Sequence, residues 1–333
     1  MDSHLLERMS FDIEALFKAH PPIWKHRNKQ VVYNVACPPG SKLTGQLDYS
    51  RWGSLPLPPT VDLSSALDRL AERPGFFDYA PEPDLPRAVE WHVNFADPHL
   101  FFGYGSGLFA QDEMQATEHP ALGALLEALQ ALKLNPFTVE SHEPTPVLVM
   151  GAPRCCQVRT DPNELEGRPG GLYGNAFSMA PAESVRRATT RIDPPTISHV
   201  IAMAAPAHGW GPYTLEEIRY VLVTAYTAFR ASLMESRRRT NESSPVVVHS
   251  GFWGCGAFGG NRVLMVTLQL LAATMAGLNR LVVHTGGADG DEALRDVRVL
   301  IEKEWNGHSV VRTDKVIEGL RTMGFKWGVG DGN

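Results

Sequence analysis

One stretch restricts this chain more than any other. The apolar run Pro245-Val246-Val247-Val248 leads into His249-Ser250-Gly251-Phe252-Trp253-Gly254-Cys255-Gly256-Ala257-Phe258-Gly259-Gly260-Asn261, and a long apolar helical pattern over residues 262–278 follows. This order predicts a strand, a glycine-rich loop and a helix. Glycines let a backbone turn tightly and point its N–H groups at one spot. The positive end of the next helix adds its dipole, and the combination suits a phosphate group. Trp253, Cys255 and Phe258 inside such a loop make the string far more specific than its glycine content.

Similar punctuation runs through the rest of the chain. Strands are expected at residues 89–95, 146–151, 199–204, 246–249 and 280–284. Helices are expected at 111–132 (interrupted near Pro120), 215–234, 262–278 and, as the last element, 291–304. Alternation of this kind implies an α/β architecture in which a mixed or mostly parallel sheet is sandwiched between helices. Ligands in such folds sit at the carboxyl ends of strands. The first 85 residues read differently: a short helix at 11–19, a strand at 31–35, a proline-rich stretch at 55–59 and a helix at 63–70 capped by Asp62 or Ser64. Their apolar content is too sparse for an independent core. Residues 1–85 are therefore expected to be an accessory region and 86–333 the main domain.

Composition narrows the function. A net charge of -6 argues against a general nucleic-acid binder. The basic run Arg237-Arg238-Arg239 reads as a solvated helix end. Cys37, Cys155, Cys156 and Cys255 lack metal-ligand spacing, so free thiols in a reducing cytoplasm are expected and no metal or cofactor is called for. The N-terminus lacks the pattern of a signal peptide, and the apolar stretch at 263–278 is short for a bilayer span, so no membrane role is expected. His99, His208, His249 and His284 show no partnered spacing and read as structural or solvent-facing.

A second glycine-rich loop precedes the helix at 111. It runs from Val93-Asn94-Phe95-Ala96-Asp97 through Phe101-Phe102-Gly103-Tyr104-Gly105-Ser106-Gly107 to Gln111-Asp112-Glu113. Taken alone, Asp112 and Glu113 are first-turn acids facing a helix dipole. Taken with Ser250–Asn261, the region resembles the poly(ADP-ribose) glycohydrolases, a branch of the macrodomain fold. That family carries V-D-F-A-N, then Gly-Gly-Gly, then Q-E-E, and later T-G-N-W-G-C-G-A-F-G-G-D. The spacing from Asp97 to Glu113 matches without gaps, and Gly171-Leu172-Tyr173-Gly174-Asn175-Ala176-Phe177 resembles a family loop with two aromatics four apart. The resemblance spans roughly residues 87 to 305.

The resemblance implies a macrodomain that binds an ADP-ribose-containing small molecule or an ADP-ribosylated macromolecule. It makes Glu113 the catalytic acid and Asp112 an acid that orients the ribose. It implies that Asp97, Gly103, Gly105, Ser106, Gln111, Tyr173 and Phe177 border the substrate, and that Gly254, Cys255, Gly256, Ala257, Phe258 and Gly259 hold its diphosphate. For Asp112, positioning and helix-start readings both stay open; Tyr173 and Phe177 also read as loop core, and Cys255 as a small packed residue. Breaking a glycosidic bond needs a proton for the leaving oxygen and then an activated water, and one glutamate can serve both steps. The departures matter too. Phe101 and Phe102 replace two of the three glycines, Asn94 and Asp97 exchange the acid and amide of V-D-F-A-N, Phe252 and Asn261 alter the long string, and an adenine-stacking aromatic would fall near Gly286. The diphosphate grip is thus better kept than the ribose and adenine contacts, which favours a mono-ADP-ribosyl adduct or a small NAD-derived nucleotide over a polymer. A module that binds ADP-ribose without turnover is the alternative.

Overall fold

The computed structural model describes residues 2–207, 209–240, 244–305 and 310–330. His208 therefore lies outside the described residues. The elements in chain order are β1 (Leu5–Asp12), α1 (Ile13–Ala19), α2 (Arg27–Ala36), β2 (Gln46–Trp52), β3 (Thr60–Asp62), β4 (Leu70–Arg73), β5 (Val89–Phe95), α3 (Gln111–Glu118) and α4 (Pro120–Ala131). Then come β6 (Val139–Glu140), β7 (Glu143–Pro144), β8 (Val147–Val158), α5 (Ala176–Met179), α6 (Ala182–Ala188), β9 (Thr189–Met203), α7 (Leu215–Arg239) and β10 (Val246–Ser250). The last are α8 (Arg262–Ala276), β11 (Arg280–His284), α9 (Ala288–Trp305), β12 (Val310–Arg312) and α10 (Thr313–Thr322).

Eight strands form one mixed sheet in the order β1-β2-β8-β9-β5-β10-β11-β4. The four strands from β1 to β9 pair antiparallel; β9, β5, β10, β11 and β4 run parallel. Side chains alternate between the faces. Leu148, Met150, Ile201 and Met203 pack with Trp91, Val93 and the apolar sides of α7, α8 and α9 in one core. Val147, Val149, Val200 and Ala202 pack with α1 and α4 in another. On β5 the alternation has a chemical consequence. Trp91 and Val93 enter the first core, while His92 and Asn94 are buried polar groups.

The structure corrects several expectations from sequence. Residues 31–35, expected as a strand, lie inside α2, because the polar faces of Asn28 and Lys29 find buried partners that hold the segment helical. Residues 63–70 form only a 3-10 turn at 67–69 before β4, since Leu70 and Ala71 pair with Leu281 and Val282. The helix over 288–305 is followed by a further strand and helix, β12 and α10. The basic run Arg237-Arg238-Arg239 is an exposed helix end, as expected, and Arg238 also reaches Asp48 on β2 at 3.2 Å and Glu235 at 2.9 Å. The first 85 residues supply β1 and β2 at one side of the sheet and β4 at the opposite edge.

Candidate active site

The side chain of Gln111 extends the pairing of β5. Its Oε1 accepts the Phe95 N–H at 2.7 Å and its Nε2 donates to the Val93 carbonyl at 3.1 Å. These bonds occupy the amide that the sequence assigned to substrate and moor the first turn of α3 at the carboxyl end of β5. Asp112 and Glu113 follow in that turn, both buried. Asn94 Nδ2 donates to Asp112 Oδ1 at 3.0 Å. Glu113 Oε2 accepts the Ala110 N–H at 3.1 Å, so Glu113 is also a helix-capping group. Ala110 has no side-chain acceptor, so the reciprocal half of a capping box is missing. The far end of α3 is fixed by Glu118, which accepts from Arg154 Nε at 2.9 Å and the Val158 N–H at 2.8 Å.

Burial governs the charges here. It pushes the Asp112 carboxyl up to about 8, with the neighbouring Glu113 charge adding to the shift and the Asn94 bond opposing it. Burial also raises Glu113, against the opposing pull of Lys29 and of backbone N–H groups. Lys29 is itself fully buried, and burial lowers its ammonium to about 7 although Glu113 and Asp112 hold it up.

The loop before α3 is clamped by the N-terminal region. Gly103 lies directly against the Glu113 carboxyl, and any side chain at 103 would collide with it. Lys29 Nζ donates to the Tyr104 carbonyl at 2.8 Å. The His26 N–H donates to the Gly105 carbonyl at 2.9 Å, and Gly105 also packs on the Ile23 carbonyl. Ser106 caps the turn by accepting the Leu108 N–H at 3.2 Å. The two phenyl rings in this loop part company. Phe101 turns inward, fully buried, at a left-handed φ of 50°. Phe102 points out and is 73% exposed. The expectation that both rings stand where backbone should meet ligand is thus corrected: one belongs to the core. Asp97 accepts the His99 N–H at 2.9 Å and sits close enough to push both acids up.

The second loop leaves β10, which runs parallel to and beside β5 with His249 opposite His92. A Cβ placed on Gly251 would lie 3.5 Å from the Phe95 ring, so both loops emerge from the same carboxyl edge. Gly254 (φ 76°) and Gly259 (φ 71°) adopt backbone angles that L side chains avoid. Trp253 Nε1 donates to the Met203 carbonyl at 2.9 Å, and Gly260 N–H closes the turn on Gly254 at 2.8 Å. Among the described residues no acceptor meets the N–H groups of Gly256 and Ala257. Asn261 caps α8 by accepting the Leu264 N–H at 3.1 Å. Gly328 N–H donates to the Gly259 carbonyl at 2.8 Å, bracing the loop from the C-terminal segment. Burial holds the Cys255 thiol well above its usual range, which keeps it protonated and poorly nucleophilic.

The remaining predicted residues divide. Phe177 is fully buried and stacks on Phe109 at 4.2 Å, so it packs the loop; Tyr173 is 41% exposed. His249 and His284 meet across adjacent strands at 3.2 Å, a pairing that spacing in sequence does not show. Two further groups escaped sequence reasoning. Lys29 sits in the polar run Arg27-Asn28-Lys29-Gln30, which resembles any solvated helix face. Phe76, 68% exposed, lies in a stretch full of prolines, yet its ring is 3.3 Å from a Cβ built on Gly286, where the aromatic was missing. Gly286 N–H donates to the Gly75 carbonyl at 2.9 Å, tying the two loops together. Cavities of about 130 Å³ beside Cys37 and about 260 Å³ beside His199 open elsewhere and do not border Glu113. Among the described residues no group of three His, Cys, Asp or Glu is arranged to hold a metal ion, and no helix is long and apolar enough to cross a membrane.

Residues 170–292 match the family model described as poly(ADP-ribose) glycohydrolase (PARG), macro domain fold. That span holds the second loop but not Glu113. No curated protein matches. Among solved structures, the PARG of Thermomonospora curvata is similar at 14% identity and a TM-score of 0.43, over 87% of this chain and 85% of that one. The same enzyme bound to the inhibitor ADP-HPD gives 13% and 0.41, over 71% and 82%. The PARG of Deinococcus radiodurans in complex with ADP-ribose gives 14% and 0.40, over 73% and 94%.

Proposed function

From the premise that residues 170–292 are PARG-type macrodomain sequence, we propose that this protein is a glycohydrolase that cleaves an ADP-ribosyl glycosidic bond. One observation carries the reading. A buried carboxyl pair, Asp112 and Glu113, stands at the carboxyl edge from which the glycine-rich loop 254–260 also leaves. The loop grips the diphosphate with the N–H groups of Gly256 and Ala257 and the dipole of α8.

Glu113 is the acid–base. Burial raises its affinity for a proton, so it carries one to the leaving oxygen. The glycosidic C–O electrons leave with that oxygen, and the carboxylate left behind takes a proton from the water that attacks the sugar carbon. Asp112 cannot share this role, because adjacent helical residues diverge by about 100°. It holds the ribose through the oxygen that Asn94 leaves free. Phe76 offers the adenine a ring beside Gly286, where the family aromatic would fall. Phe102 is exposed one residue before Gly103, at a position where the resembled family has glycine. A phenyl ring in place of that glycine supports a mono-ADP-ribosyl adduct or a small NAD-derived nucleotide as substrate.

The test is Glu113→Gln assayed on O-linked, N-linked and small ADP-ribosyl compounds. Turnover of the true substrate falls by about 10³-fold, the scale of a lost general acid–base, while ADP-ribose still binds in calorimetry. Unchanged turnover of every substrate sinks the assignment. The bond from Ala110 N–H to Glu113 favours a second reading, a module that binds without cleaving; ADP-ribose binding with no product from any of the three substrate classes would select it.

A further inference from the structure

A lysine is almost never fully buried without compensation, because desolvating an ammonium is costly. Lys29 is fully buried on α2 of the N-terminal region, and α2 packs against α3, the helix that carries the two acids far along the sequence. Its compensation is only partly local. Nζ donates to the Tyr104 carbonyl at 2.8 Å, and the rings of Phe109 and Phe177 lie 5.1 and 5.8 Å away. Among the described residues it makes no ion pair within 4 Å. A neutral donor of similar length would satisfy that carbonyl equally well. What an ammonium adds is charge, directed at a site where two buried carboxyls compete.

We infer that Lys29 is the positioning and charge-balancing residue of the Glu113–Asp112 pair, supplied to the active site by the N-terminal region. The catalytic consequence rests on the glycohydrolase reading above; the electrostatic link does not. Positioning acts through Tyr104. The Lys29 bond holds residue 104 in place, between Gly103 against the Glu113 carboxyl and Gly105 against Ile23. Charge balance acts on the carboxylate that remains once Glu113 has given up its proton beside Asp112. Asp97, from the loop after β5, also faces the acids and opposes ionisation of both, while His26, which caps α2, and Arg27 in its first turn stand on the Lys29 side. Lys29 is the cation that favours the ionised forms of both acids.

The experiment follows the Glu113 carboxyl by 13C NMR titration, assigned with Glu113→Gln, in the full chain and in Lys29→Met and Lys29→Gln. Gln keeps a donor for the Tyr104 carbonyl but not the charge. Both variants are expected to move the Glu113 midpoint upward by about one unit, as loss of a nearby opposite charge does. The pH profile of kcat/KM moves in the same direction. A lower melting temperature with an unmoved midpoint would mean that Lys29 is structural and would overturn the inference. If neither variant folds, the reciprocal measurement decides. The Lys29 Nζ resonance should titrate at lower pH in Glu113→Gln than in the parent, and an unchanged midpoint overturns the inference. A moved midpoint in a protein that hydrolyses no ADP-ribosyl compound keeps the link and sinks the glycohydrolase reading. An unmoved midpoint in an active enzyme does the reverse.

Discussion

Phe101 shows how a single residue can mislead. Read along the chain, it stands where glycine should let backbone approach a ligand. In the fold its ring is buried with Leu100, Leu122 and Leu125, and the backbone pays for that position with a left-handed φ of 50°. For an L-residue such a conformation costs roughly 1–2 kcal/mol. Removing a buried phenyl ring costs about 3–5 kcal/mol. Phe101→Gly should therefore destabilise by a net ~2 kcal/mol despite restoring the glycine, as urea unfolding would measure; a gain in stability would show that strain outweighs packing there. Gln111 teaches a related lesson. Its residue type was legible as part of a site motif, yet both ends of its amide are spent on the backbone of β5.

At the scale of elements, α3 is the part that the site depends on. Gln111 fixes its first turn to β5, and Glu118 fixes its last turn to β8 through Arg154 and the Val158 N–H. The Glu118–Arg154 pair is buried on both sides. Removing one partner strands the other charge, which typically costs about 3–5 kcal/mol. Glu118→Ala should lose that much in urea unfolding and should also weaken turnover by loosening α3, with Glu118→Gln, which keeps an acceptor for Val158, intermediate. Equal stability of Glu118→Ala and the parent would show that α3 is held from its first turn alone. The loop between β10 and α8 was more legible than α3, because glycine spacing, a preceding valine run and a following helix are all local signals. Its brace at Gly328 is not, since it joins segments nearly 70 residues apart.

At the scale of the whole molecule, buried histidines tie stability to pH. Burial lowers His119 to about 3, and His199 and His284 to about 4. Unfolded histidines bind protons from about pH 6.5 downward while these folded ones do not, so their contribution is complete above 6.5 and is lost as pH falls toward the folded values. Asp112 works in the opposite sense: raised to about 8, it favours the folded state more as pH falls from there toward its unfolded value. For His119 alone the loss at pH 5 is about 2 kcal/mol. His119→Gln should shrink the stability difference between pH 7 and pH 5 by that amount in urea unfolding; an unchanged difference would mean that His119 does not titrate on unfolding. The accessory region belongs to the same whole. It has edge strands on both sides of the sheet but no separate sheet large enough to stand alone, and we propose that it folds only with the rest. By itself the sequence determined the α/β alternation and the two glycine loops, because strand and helix periodicity and turn chemistry are written in neighbouring residues. Only the tertiary structure decided that Phe101 faces the core, that Phe76 flanks Gly286 and that Lys29 holds the loop that packs on Glu113, because burial and partnership depend on distances in space that chain separation does not encode.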